Sequence, residues 1–274
     1  MDRFAFLMQQ EIELRLPIYV SGAGHWDNQE TIVRPEGFPL FQWLHCAAGE
    51  GELKVAGESS RVREGTGFFL YPNEPHEYRA ISEPWEIYWI VFGGELAEPL
   101  ARLAGLTRSG VYSVTDDGLI RHIQNALTLA SAGKPLAGLE CSKLVYMLLI
   151  DIMKCITVDR PSVEQNYMRL QPVFEYMELH YDRKITLEEL ADVMGVSIQH
   201  LCLLFRKIVK TRPIEYLNQL RIHKSKGMML RDRDARISEI ARKVGLDAPG
   251  YFSTLFKRVE GMTPEAFRKI SGVR

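Results

Sequence analysis

Two short segments near the carboxyl end carry polar and basic side chains at helical spacing. The outward positions of the first predicted helix, and one basic residue after it, are Gln199, Cys202, Leu203, Arg206, Lys207 and Lys210. The outward positions of the second are Tyr251, Ser253, Thr254, Lys257 and Arg258. Amide, hydroxyl and guanidinium groups hydrogen bond to base edges, and Lys and Arg neutralise phosphates. These residue types predict contact with double-stranded DNA.

The two segments belong to an internal repeat within residues 185–264. Residues 187–197 (LEELADVMGVS) match residues 237–247 (ISEIARKVGLD), and residues 200–207 (HLCLLFRK) match residues 251–258 (YFSTLFKR). The second copy has one extra residue in its turn. A duplication of this kind indicates two structural units of the same design.

Each copy predicts a helix-turn-helix unit. A short amphipathic helix ends near a Gly suited to the left-handed turn position, Gly195 or Gly245. Ser197 or Asp247 then supplies a side-chain oxygen to cap the next helix. Residues 213–230 predict a long helix that holds the two units apart. Helix pairs with Gly turns also occur in ordinary bundles, but the duplication and the basic outer faces favour a second helix that enters the major groove.

The charge of the chain divides in the same way. Residues 170–274 carry 19 Lys and Arg against 13 Asp and Glu, a net charge of +6. Residues 1–169 carry 15 basic and 22 acidic residues, a net charge of -7. This asymmetry suggests that only the carboxyl-terminal half meets a polyanion.

The acidic half is predicted to contain sheet and then helix, so the fold class is α+β with two domains. Short aromatic and branched runs between Gly and Pro over residues 17–92 predict an antiparallel β-barrel or sandwich. Helical periodicity follows over residues 117–131 and 136–157. The predicted domains are 1–160 (barrel about 17–110, helices about 111–158), a linker at 161–169, and an all-α domain at 170–274.

Residues 170–274 resemble the DNA-binding domain of the AraC/XylS family of bacterial transcription regulators. The motifs that carry the resemblance are ITLEELADVMGVS, HLCLLFRK, RPIEYLNQLRI, ISEIARKVGL, YFSTLFKR and GMTPEAFRK. It implies a sequence-specific regulator, usually an activator, that works as a homodimer with RNA polymerase. The second helix of the first copy, its recognition or reading helix, has Cys202 and Leu203 where the family often has Ser-Arg. Lys210 stands where a Gly is usual. Leu203 is suited to contact with a thymine methyl group.

The amino-terminal half resembles the cupin-like effector domain of the same family, in RPEG, REGTGFFLYPNEPHEY and PWEIYWIVFGG. This resemblance implies a small-molecule effector in the barrel, a sugar first among the candidates, with a dimerisation segment in the helices that follow. It assigns effector binding to Arg34, His76, Tyr78 and Trp89. The family's arabinose-binding members have a sugar-contacting His where this chain has Ile87, which predicts a different ligand.

Two alternatives remain at this point. One is the same regulator with a non-sugar effector or none, and the other is a cupin enzyme fused to a DNA-binding domain. Metal catalysis in a barrel needs clustered ligands, and the candidates His25, His45, His76 and Glu77 include no His-x-His. No nucleophilic triad, phosphate loop or dinucleotide fingerprint is present. We therefore expect no enzymatic activity, no catalytic residue, no metal site and no cofactor.

The location of the protein is also predicted from its sequence. The four cysteines form no C-x-x-C pair, which is typical of reduced structural thiols. The amino terminus lacks the long apolar run of a secretory signal, and no apolar stretch is long enough to cross a membrane. We expect a cytoplasmic protein that associates with the nucleoid and has no membrane partner.

Overall fold

A computed structural model describes residues 3–8, 10–115, 118–157, 163–232 and 234–271. The chain divides into two compact units, Met1–Glu164 and Gln165–Arg274. None of the helices in the described residues is long and apolar enough to cross a membrane.

The first unit contains two antiparallel sheets. Its strands are β1 (Arg3–Phe6), β2 (Tyr19–Trp26), β3 (Ile32–Arg34), β4 (Phe41–Ala48), β5 (Glu50–Val55), β6 (Glu58–Arg63), β7 (Thr66–Leu70), β8 (His76–Ala80), β9 (Glu86–Gly93), β10 (Gly110–Val114) and β11 (Ile156–Thr157). One sheet has the order β1-β2-β9-β4-β7-β10-β11, and the other has the order β3-β8-β5-β6. The predicted antiparallel β architecture is confirmed, with its strands arranged as two sheets.

The two sheets share one hydrophobic core. Leu44, Phe68 and Ile87 from the larger sheet pack with Leu53 and Val62 from the smaller sheet. The alternation of apolar and polar residues along β5 places Leu53 and Val55 in this core and exposes Lys54. The space between the sheets is therefore where a ligand would be enclosed.

Four helices complete the described part of the first unit. They are α1 (Glu11–Leu14), α2 (Ala97–Leu103), α3 (Gly118–Ser131) and α4 (Ala137–Cys155). Helices α2 to α4 pack on the outer face of the larger sheet through residues such as Leu119, Ile123, Val145, Leu148 and Ile152. This second core buries one side of α3 and of α4.

Two predicted segments differ in the structure. The helical segment expected from about residue 111 begins with strand β10, because Val111 and Tyr112 pair with Phe68 and Gly67 of β7 in the larger sheet. In the predicted linker, residues 161–162 lie outside the described residues, and the remainder is helical from Val163. Helix-favouring Glu, Gln, Met and Arg side chains outweigh the polarity on which the linker prediction rested.

The second unit is built from helices. They are α5 (Val163–His180, which starts just before the unit), α6 (Leu187–Met194), α7 (Ile198–Ile208), α8 (Pro213–Arg231), α9 (Ile237–Lys243), α10 (Pro249–Glu260) and α11 (Pro264–Ile270). The pairs α6–α7 and α9–α10 are the two predicted helix-turn-helix units. Helix α8 is the predicted long helix between them and has Pro213 in its first turn.

The turns of the two units follow the sequence prediction with one exception. Gly195 and Gly245 adopt left-handed backbone angles, with φ of +64° and +74°, and the Ser197 hydroxyl accepts a hydrogen bond from the His200 amide at 3.2 Å. The prediction that Asp247 caps α10 is wrong, because the cap position is Ala248 and has no side-chain hydrogen bond. Pro249 occupies the first helical position, which Pro favours because an N–H there has no partner within the helix.

Candidate nucleic-acid interface and effector cavity

Helices α7 and α10 hold the predicted DNA-contacting residues on their outer faces. Leu201, Leu204 and Phe205 of α7 are buried in one core, and Phe252 and Phe256 of α10 are buried in another. This packing leaves the opposite side of each helix open. The exposed residues there are Gln199, Leu203, Arg206, Lys207, Lys210, Tyr251, Thr254, Lys257 and Arg258, with Cys202 and Ser253 partly exposed.

The outer face of α7 differs in chemistry from that of α10. Leu203 is 68% exposed and lines a groove of about 560 Å³ together with Cys202, Ile214, Arg206 and Arg212. The α10 face instead presents Ser253 and Thr254 with two basic residues. The first helix-turn-helix unit thus offers apolar contact beside guanidinium groups, and the second helix-turn-helix unit offers hydroxyl groups beside basic side chains.

Lys210 has the backbone conformation of the Gly that it replaces. Its φ is +62°, close to the +76° of Gly261 at the end of α10. A left-handed conformation is unfavourable for a residue with a Cβ atom. The turn after α7 thus has the same left-handed conformation as the turn after α10, and the Lys210 side chain is exposed.

A cavity of about 170 Å³ opens between the two sheets of the first unit. The residues that line it are Phe6, Trp26, Gln29, Glu30, Ile32, Arg34, Phe38, Gln42, Leu44, Tyr78, Trp89 and Val91. Three of the four predicted effector residues, Arg34, Tyr78 and Trp89, are among them. Aromatic rings beside a few polar groups suit a small ligand with both apolar and hydroxyl surfaces.

Arg34 is held in the cavity wall by two contacts. Its Nη1 donates a hydrogen bond to Gln42 Oε1 at 2.8 Å, and its guanidinium carbon lies 4.6 Å from the centre of the Phe38 ring. The remaining N–H groups of a guanidinium can donate to a ligand. Burial raises the pKa of Tyr78 to about 12, and the charge of Arg34 opposes this rise. Tyr78 is therefore a neutral phenol at pH 7.

Trp89 owes its position to a glycine on the neighbouring strand. A Cβ atom at Gly24 would lie 2.5 Å from the Trp89 ring, so only Gly allows the ring to lie against β2. Phe6, from the amino-terminal strand β1, packs over Gly22 of β2, and its ring centre lies 5.8 Å from that of Trp89. The amino-terminal segment thus forms part of the cavity.

Sequence reasoning missed several residues of this cavity. Gln29 is 5% exposed, and among the described residues its Oε1 has no hydrogen-bond partner. Gln42 is a polar residue in a buried apolar run, between Phe41 and Trp43, which is a signal that the sequence offered. No local pattern marks Gln29, because it lies in the connection between β2 and β3.

His76 is not among the residues that line this cavity. It lies opposite Arg34 across the β3–β8 pair, and its ring Nδ1 is 2.8 Å from the Glu74 carbonyl oxygen. Burial lowers the pKa of His76, and the carbonyl contact opposes this effect. Within the described residues, no group of three or more His, Cys, Asp or Glu side chains is arranged to hold a metal.

Comparison with known families assigns one family model to each of the two compact units. Residues 20–149 match the family model for an AraC-like ligand binding domain. Residues 190–270 match the model for a helix-turn-helix domain. The first range includes most of the cavity, and the second includes both reading helices.

Three relatives are similar over most of the chain. The uncharacterized HTH-type transcriptional regulator YisR of Bacillus subtilis is 30% identical, covering 93% of this chain and 94% of the relative. The MmsAB operon regulatory protein of Pseudomonas aeruginosa is 26% identical, covering 92% and 83%. The lactose operon transcription activator of Staphylococcus xylosus is 26% identical, covering 78% and 79%. With these relatives and both domain matches, the chain belongs to the AraC/XylS family of transcription regulators, with a ligand-binding domain and a DNA-binding helix-turn-helix domain.

Proposed function

We propose that this regulator activates transcription from a two-part operator when a sugar of monosaccharide size occupies its cavity. The observation that carries the DNA part is the pair of exposed, basic reading helices on separate cores. In this proposal Arg206, Lys207, Lys257 and Arg258 supply most phosphate or base contacts, with Lys210 beside them. Leu203 makes apolar contact with a thymine methyl group.

The size and lining of the cavity support the effector class. An apolar cavity of about 150 Å³ takes up benzene in another protein, so about 170 Å³ fits one sugar ring and excludes a disaccharide in this conformation. A flat Trp89 ring suits the C–H face of a sugar. Arg34 and Tyr78 offer donors, and Gln29 Oε1 offers an unpaired acceptor, for its hydroxyl groups.

The proposal also includes activation of transcription and formation of a homodimer. One relative is named a transcription activator, which supports a positive role that requires RNA polymerase. Helix α4 exposes about half of Tyr146 and Met147, which supports α4 as the surface where two copies form a homodimer.

An effector screen tests the proposed ligand class. We expect a pentose or hexose to raise the melting temperature of the full chain, because a ligand at 100 times its Kd adds about 2.7 kcal/mol to the free energy of unfolding. Disaccharides are the size control, and sugar acids and divalent metals are separate arms. Stabilisation by metals alone would favour the enzyme alternative, and no stabilisation by any sugar would contradict the sugar effector.

We further propose that the amino-terminal segment transmits occupancy of the cavity. Strand β1 pairs with β2 from Arg3 to Phe6, and the Phe4 ring centre lies 5.4 Å from that of Trp26. After β1, Glu13 is buried against the start of α4, since a Cβ atom at Gly138 would overlap its carboxylate. The segment thus connects the cavity with the proposed pairing helix.

Deletion of residues 2–12 tests this connection. We expect the full chain without them to lose the dependence of DNA binding on the effector, because Phe6 no longer lines the cavity. Its effector-free DNA affinity, measured by fluorescence anisotropy, provides the comparison. The control is Val33→Ala, which changes an exposed apolar residue outside the cavity lining. An unchanged effector response in the deletion variant would contradict the model.

A further inference from the structure

Helix α8 passes from one hydrophobic core of the DNA-binding unit to the other. Leu217 packs in the core of the first helix-turn-helix unit, and Leu220 packs against it. Ile222 and Met229 belong to the core of the second unit. Arg221 therefore lies where the two cores meet along α8. Two separate cores on one helix need a further contact to fix their relative rotation.

Arg221 supplies such a contact from inside the protein. It is only 7% exposed, and its Nε donates to the Tyr181 carbonyl oxygen at 2.9 Å. Its Nη2 donates to the Arg183 carbonyl oxygen at 2.6 Å. Both acceptors lie in the turn between α5 and α6, so the guanidinium joins α8 to the segment just before the first helix-turn-helix unit. Burial lowers the pKa of Arg221, while the charges of Asp247 and Asp182 oppose this effect.

The Gly245 turn of the second helix-turn-helix unit also lies against Arg221 and the α5–α6 turn. A Cβ atom at Gly245 would lie 2.6 Å from the Tyr181 carbonyl oxygen and 2.9 Å from Arg221 Nη2. The side chain of Tyr181 also packs against both cores, and Lys224 Nζ lies 5.5 Å from the centre of its ring. The α5–α6 turn, the Gly245 turn of the second helix-turn-helix unit and the middle of α8 thus meet at one guanidinium.

We propose that Arg221 is a positioning residue that fixes the separation and rotation of α7 and α10. It thereby sets the spacer length that one chain accepts between the DNA segment bound by α7 and the segment bound by α10, which are the two halves of the site. The inference rests on the proposed DNA-binding function. One added base pair moves a half-site by about 3.4 Å and rotates it by about 35°. If the two helix-turn-helix units are held rigidly, this displacement breaks contacts between one of them and the DNA. If they can rotate relative to each other, both can keep their contacts.

The test measures spacer preference directly. Purified full-length protein selects a site from randomised double-stranded DNA, and the site is then rebuilt with one or two base pairs added or removed between its halves. We expect the wild type to bind the best spacer about 100-fold more tightly than its one-base-pair neighbours, since a misplaced half-site loses its specific contacts. For Arg221→Met we expect this ratio to fall to about tenfold or less.

The ratio separates positioning from a purely structural role. A variant that is only less stable has a smaller folded fraction, which lowers its affinity for every spacer equally and leaves the ratio unchanged. Arg231→Met is the matched control, because it removes the same charge from an exposed position of α8.

Two further variants keep the test decisive. If Arg221→Met does not fold, Arg221→Lys retains the positive charge but not the two-pronged hydrogen bonding, and we expect it to lower the ratio as well. Gly245→Ala forces the two turns apart without a change of charge, so it is expected to have the same effect. A wild-type ratio in a folded Arg221 variant would overturn the proposal. Failure of the wild type to select any site would instead contradict the proposed function.

Discussion

The double variant Arg206→Ala/Lys257→Ala is expected to bind the selected operator about 100-fold more weakly than the wild type at about 0.15 M salt. Each of the two cations lies on the exposed face of a reading helix, and a lost base or phosphate contact of this kind costs about 1–3 kcal/mol. Because a tenfold change in affinity corresponds to about 1.4 kcal/mol, two such losses give about two orders of magnitude. Fluorescence anisotropy on operator DNA measures the change.

The salt dependence shows which contact each residue makes. If both side chains neutralise phosphates, the slope of log K against log salt becomes shallower by about 2, equally on operator and unrelated DNA. If they read bases, the slope changes less and sequence preference relaxes. The control is Arg61→Ala/Lys54→Ala, which removes two exposed cations from the smaller sheet of the amino-terminal unit. An equal loss of affinity in that control would show that net charge, rather than these two positions, governs binding.

Replacing Trp89 by alanine is expected to remove nearly all of the stabilisation that the effector confers. At an effector concentration 100 times the wild-type Kd, the wild type gains about 2.7 kcal/mol. A 100-fold increase in Kd reduces that gain to about 0.4 kcal/mol. Trp89 lines the cavity and its ring lies against Gly24 and Phe6, so its loss also opens the wall. The shift is measured by thermal unfolding against each variant's own effector-free curve.

Two companion variants make this result specific. Trp89→Phe keeps an aromatic face, so it is expected to retain most of the shift while preserving the core better than Ala. His76→Asn changes a buried residue near Arg34 that does not line the cavity, and we expect it to keep the shift. A full wild-type shift in Trp89→Ala would contradict the cavity as the effector site. Loss of the shift in His76→Asn would support the role that the family resemblance assigns to it.

The helix-turn-helix domain was largely predictable because its signals are local. The left-handed Gly195 and Gly245 and the start of α8 at Pro213 each depend on residues a few positions apart, and the repeat presents the helix-turn-helix pattern twice. The cap at Asp247 was wrongly predicted because one extra residue moves the start of α10 to Pro249. Residues 163–169 of the predicted linker are helical, because their polar side chains also favour helix, and the division between the two units falls within this segment.

The effector cavity was only partly predictable, because its walls come from segments far apart in the chain. The sequence by itself determined the family, the two-domain α+β organisation and the exposed faces of α7 and α10, since helical periodicity decides which side chains face outward. Only the tertiary structure brought Phe6 and Gln29 to the cavity with Trp89, and it leaves His76 out of the cavity lining. It alone also buried Arg221 between two carbonyl oxygens about forty residues earlier in the chain, because the pairing of strands and the packing of cores depend on contacts that no local pattern encodes.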